Sequence, residues 1–117
     1  MALVHVFAST GRFGSEEDVR RFVDMTYTAD GDAVRSPFPR EIGLEDEYDP
    51  GCIEVVHSST LLPIRQLLRG VSYGDQWVAR IDPDRQADTV ICVFPPNLVA
   101  APQDSSLEYC GAFIYIP

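Results

Sequence analysis

A chain of 117 residues with 18 acidic and nine basic side chains carries a formal charge of −9 at 45% hydrophobic content. That is the length of one domain, able to bury a core without metal or disulfide staples, and too apolar for a disordered segment. The charge argues against nucleic acid and anionic membrane as partners, which need clustered basic residues. All nine basic residues are arginine, which excludes a Schiff-base lysine and a P-loop lysine.

In chain order, Leu3 to Ala8 alternates around β-branched and aromatic residues and predicts a first strand. A turn through Ser9–Gly14 leads to Ser15, which reads as a helix cap with Asp18 as its reciprocal partner. Glu16, Glu17 and Asp18 complement the positive end of that helix, whose apolar positions Val19, Phe22 and Val23 carry it to about Tyr27. Residues 29–34 read as a loop, and Arg40–Gly43 as a single helical turn. Asp49-Pro50-Gly51 is a strong turn signal before a second strand, Cys52–Ser58.

Thr60 is the expected cap of a helix over Leu61–Arg69, with Pro63 in its first turn and Gly70 as its stop. Ser72 and Asp75 predict a capping box for a third helix with the apolar stripe Tyr73, Trp77, Val78 and Ile81. Thr89–Phe94 is almost wholly apolar and predicts a central strand. Pro95–Ser106 is a loop, and Leu107–Ile116 a last strand with Gly111 as a candidate bulge. The order β-α-β-α-α-β-β predicts one α+β domain over residues 1–117. Its sheet is expected to be four-stranded, mixed and mostly antiparallel, with about three helices packed mainly on one face.

Catalytic signals are weak. Gly11 and Gly14 lack the spacing of a phosphate-binding loop, and the acids that follow would repel phosphate. His5 and His57 fall in strand-like runs, and neither has ligand spacing with Cys52, Cys92 or Cys110, so no metal and no cofactor is expected. The three cysteines form no CxxC pair and read as small buried hydrophobes in a reducing compartment. With no basic n-region at the amino terminus and no apolar run long enough to cross a bilayer, the chain is expected in the cytoplasm.

The strongest functional signal is charge. Residues 16–49 hold eleven carboxylates against four arginines, a local balance of −7. The densest part is Glu45-Asp46-Glu47-Tyr48-Asp49. Carboxylates crowded this closely repel one another and suit a surface that meets a basic partner. Glu45, Asp46, Glu47 and Asp49 are the expected contacts, with Tyr48 as an aromatic anchor. Glu16, Glu17, Asp18 and Glu41 are candidates to extend the patch. Two other readings stay open: a small metal-dependent or hydrolytic enzyme using the acids and His57, and an acidic adaptor protein.

Several segments, in order, resemble the immunity protein 22 family of bacterial polymorphic-toxin systems. They are Gly11–Glu17, Ser36-Pro37-Phe38 through Glu41-Ile42-Gly43 to Tyr48-Asp49, Ile53-Glu54-Val55, Leu68–Tyr73, and Gly111–Tyr115. The resemblance implies a non-enzymatic cytoplasmic protein that binds and blocks a cognate toxin. Charge complementarity adds the expectation that the toxin domain is basic, as a nuclease would be.

Overall fold

The computed structural model describes residues 1–117. The chain runs through β1 (Ala2–Ser9), α1 (Glu16–Val23), a small hairpin of β2 (Thr26–Tyr27) and β3 (Ala33–Val34), and α2 (Pro37–Glu41). It continues with β4 (Ile53–Pro63), α3 (Ile64–Leu67), α4 (Gly74–Trp77), β5 (Gln86–Val93) and β6 (Glu108–Tyr115). Single 3-10 turns lie at Pro50–Cys52, Val78–Arg80 and Pro102–Asp104.

The main sheet has the order β4-β5-β1-β6, which places β5 in the centre as its apolar sequence predicts, with β1 beside it. The α+β class and the four strands match expectation. The sheet is wholly antiparallel rather than mixed. The reason is connectivity: β4 and β5 pair as sequence neighbours, and β5 and β6 flank β1 instead of each other. The bulge expected at Gly111 is present. Val6 faces Gly111 and Phe7 faces Tyr109, so Cys110 is the extra residue, and Gly111 takes φ +117°.

Helices cover both faces, which corrects the expectation of one covered face. Val4, Val6, Val90 and Cys92 pack against Ile64, Leu67, Leu68, Trp77 and Ile81 from the α3–α4 side. On the opposite face Phe7, Ile53, Ile91 and Val93 pack against Val19, Phe22, Val23, Phe38 and Ile42 from α1 and α2. Strands apolar on both sides require cover on both.

Several elements differ from the sequence reading: α2 spans Pro37–Glu41 rather than Arg40–Gly43, β3 lies in the stretch read as a loop, and β5 starts at Gln86. The residue before a proline is driven out of the helical region, so Leu62 stays extended, β4 runs on to Pro63, and the helix starts only at Ile64. The Ser72–Asp75 capping box does not form. Tyr73 is the cap residue of α4 and makes no side-chain cap bond, while the Ser72 N–H and carbonyl are bonded to Glu54 and Trp77. Helix α1 keeps the Ser15 cap, whose hydroxyl accepts the Asp18 N–H at 3.1 Å, but stops at Val23 rather than Tyr27. There Arg20 grips the Asp24 carboxylate at 2.5 Å and Ser36 donates to the Asp24 carbonyl, pulling the chain out of the helix.

Candidate functional site

The acidic loop is held rigidly from within. Ile42 and Leu44 are buried pegs, and the Ile42 carbonyl accepts the Ala101 N–H at 2.9 Å. Arg35 donates to the Pro39 and Leu44 carbonyls and to the Asp46 carboxylate, the last at 3.0 Å. Buried Asn97 clamps the far end in two directions: it accepts the Asp49 N–H at 2.7 Å and donates to the Asp49 carbonyl at 2.8 Å. Arg20 donates to the Pro50 and Ile53 carbonyls and ties the loop's exit to α1. A loop so fastened loses little entropy when a partner arrives.

Tyr48 is not the exposed anchor expected. It is 8% exposed, packs into the α1–α2 core, and donates its hydroxyl to the Val23 carbonyl at 2.6 Å. Burial, then the nearby Asp24 carboxylate, pushes its phenol pKa up, so the donor stays protonated. The aromatic ring therefore seats the loop. Tyr48→Phe leaves the Val23 carbonyl unpaired and is expected to cost about 1–3 kcal/mol. Chemical denaturation measures that cost.

The acids fall into two groups. Asp46 pairs with Arg35, and Glu17 and Asp18 share Arg21 at 2.8 and 3.3 Å. Asp49 accepts the Gly51 N–H at 2.8 Å and the Cys52 thiol at 3.4 Å. Glu41 accepts the Ser106 N–H and hydroxyl, both at 2.8 Å. These five have partners within the chain. Glu16, Glu45 and Glu47 are exposed and take part in none of the ion pairs or side-chain hydrogen bonds.

Glu45 and Glu47 rim a notch of about 170 Å³ whose other wall is Pro96, Asn97 and Leu98. Leu98 is 71% exposed and also lines an apolar groove of about 530 Å³ with Met1, Leu3, His5 and Val99. Free negative charge thus adjoins uncovered apolar surface. Sequence reasoning missed Asn97 and Leu98, which follow two prolines in a stretch with no periodicity to mark either.

His5 sits at the groove, with Nδ1 2.9 Å from the Tyr109 hydroxyl. Burial pushes its pKa below the ordinary 6.5. As pH falls below about 6.5 the unfolded chain therefore takes up this proton first. The stability His5 contributes is present above that pH and is lost as pH drops toward the folded-state value. The melting temperature should fall more steeply between about pH 7.5 and pH 5.5 in the wild type than in His5→Gln; equal slopes would contradict this.

His57 does not join the acids. Its Nδ1 lies 2.9 Å from the Thr89 hydroxyl, which donates at 2.9 Å to Asp88. Thr89 is fully buried. No three His, Cys, Asp or Glu side chains converge as a metal site. The three cysteines are free thiols, and burial raises the pKa of each, with Cys110 pushed up to about 11. No helix is long and apolar enough to cross a membrane.

A family model described as Immunity protein 22 matches residues 4–115. No curated protein and no solved structure matches the chain.

Proposed function

The chain belongs to the immunity protein 22 family, and from that premise we propose that it binds a cognate toxin and neutralises it by obstruction. The carboxylates of the 45–49 loop face a basic toxin domain, of the kind a nuclease presents to phosphate. One observation carries this reading. Glu45 and Glu47 stand exposed and unpaired on a clamped loop, beside the exposed apolar side chain of Leu98. Negative charge in that position steers a cationic domain during approach. Apolar area beside it supplies burial once contact is made.

The internal ion pairs narrow the surface. Asp46 and Asp49 act chiefly by holding the loop, and Tyr48 by seating it. Glu16 is the available extension, because Glu17, Asp18 and Glu41 already have internal partners. Binding of this kind needs no catalytic group from the inhibitor. We place the encounter in the cytoplasm, where free thiols persist.

Co-expression with the carboxyl-terminal domain of a toxin encoded beside this chain provides the test. The expected result is a one-to-one complex that survives gel filtration and a host cell that survives the toxin. Failure to co-purify with the domain against which it protects would overturn binding as the mode of action.

A further inference from the structure

A second concavity, of about 350 Å³, lies between the start of β4 and the residues before α4. Its lining includes Cys52, Glu54, Ser72, Tyr73, Phe94 and Tyr115. Five separated stretches of chain meet here, at residues 2, 51–54, 72–73, 94–95 and 115–117. Tyr73 and Tyr115 stack with ring centroids 4.6 Å apart, and Phe94 meets Tyr115 edge-on at 5.9 Å. Tyr115 is buried, whereas Tyr73 remains 43% exposed.

The charge in this pocket is one-sided. Glu54 is half-buried and belongs to none of the ion pairs. Its only hydrogen bond accepts the Ser72 N–H at 3.2 Å, on one of two oxygens, and a carboxylate has room for more donors. The lining contains no arginine. Glu54 also contributes to raising the pKa values of Tyr115 and Cys52, each already raised first by burial.

The backbone supplies an independent observation. Tyr73 is the only non-glycine residue with positive φ, at φ 57° and ψ 19°. An aromatic side chain in the left-handed region is costly, and such costs concentrate at binding sites. Gly74 cannot take over the position by exchange, because a Cβ there would come within 2.8 Å of Val71. The glycine serves close packing, and the tyrosine bears the strain that holds its ring on the pocket wall.

We propose that this pocket binds an alkyl cation, the guanidinium or ammonium end of an arginine or lysine side chain, between the Glu54 carboxylate and the Tyr73 ring. A carboxylate supplies charge-assisted hydrogen bonds, and a tyrosine face attracts a cation within about 6 Å of its centroid. The pocket shares Pro95 with the apolar groove at Leu98, and Gly51–Cys52 directly continue the acidic loop. A protein seated on that loop is thus placed to insert such a side chain. Only this source of the cation rests on the toxin-binding reading; the binding itself does not.

The test titrates the full chain with N-acetyl-arginine amide, following the Tyr73 and Tyr115 ring protons by NMR, with N-acetyl-norleucine amide as the uncharged control. Saturable shifts with the arginine compound alone are expected. Glu54→Gln keeps an acceptor for Ser72 and should weaken binding at least about tenfold. Tyr73→Asn, which tolerates the left-handed backbone, should weaken it while the chain remains folded by circular dichroism. Shifts that never saturate, an equal response to the norleucine compound, or unchanged affinity in Glu54→Gln would each overturn the proposal. Toxin association then tests the source: weakening by Glu54→Gln identifies a toxin side chain, and unchanged association overturns the toxin as that source.

Discussion

Replacing Glu45 and Glu47 together by arginine should slow toxin association by about 10- to 1000-fold at low ionic strength and leave the melting temperature almost unchanged. Both carboxylates are exposed and have no internal partner, so the fold loses no bond when they change. The loss should shrink as salt rises, since the Debye length contracts from about 30 Å at 0.01 M to about 8 Å at 0.15 M. Stopped-flow mixing at several ionic strengths reads both effects. The single variant Asp46→Arg is the informative contrast. It removes the Arg35 contact at 3.0 Å that fastens the loop and sets two guanidinium groups side by side. It should therefore lower stability as well as association. A wild-type association rate in Glu45→Arg/Glu47→Arg would remove this loop from the toxin-facing surface.

Trp77→Ala should produce the largest loss of stability, about 3–5 kcal/mol. The indole is fully buried and stacks on Phe113 at 5.8 Å. It meets Phe94 edge-on at 6.4 Å and donates its N–H to the Ser72 carbonyl at 3.1 Å. α4 is a single turn, too short to persist without tertiary packing. Its truncation leaves a void between helix and sheet that so short an element cannot fill by itself. For a domain of this size the melting temperature should drop by roughly 10–20 °C, as thermal unfolding followed by circular dichroism would show. Toxin binding measured well below that midpoint should keep its charge-dependent rate, because the acidic loop belongs to the opposite core. A loss below about 1 kcal/mol would contradict the packing described.

The regular elements were legible because hydrophobic periodicity survives in them. Leu3–Ala8 read as a strand and Thr89–Phe94 as a central one, and Ser15 read as a helix cap. Trp77 on an apolar stripe read as core, and Gly111 read as a bulge. The boundaries around Pro63 and Ser72 were less legible, because tertiary partners overrode local signals. Ser72 is drawn to Glu54 and Trp77 instead of capping its own helix.

The candidate site was legible in charge and not in geometry. The density of acids is plain in the sequence, yet composition does not distinguish Glu47, which is free, from Asp46, which Arg35 neutralises. Arg20 bonds the carbonyls of Pro50 and Ile53, 30 and 33 residues further on, while Arg35 bonds those of Pro39 and Leu44, four and nine residues on. No residue pattern marks a backbone carbonyl as the partner of a guanidinium. Tyr48 misled for a related reason. An aromatic among acids reads as surface, but its ring enters the core while its neighbours point outward. Asn97 and Tyr73 owe their roles to one long-range clamp and one strained backbone, neither of which leaves a periodic trace.

The most direct measurement is an equivalence titration of toxin activity. The purified cognate toxin domain is held at a concentration well above its dissociation constant, and this protein is added in small steps. Residual activity should fall linearly to zero at one molar equivalent, with both chains recovered intact. Inactivation by a small fraction of an equivalent, or full toxin activity at an excess of this protein, would contradict neutralisation by obstruction.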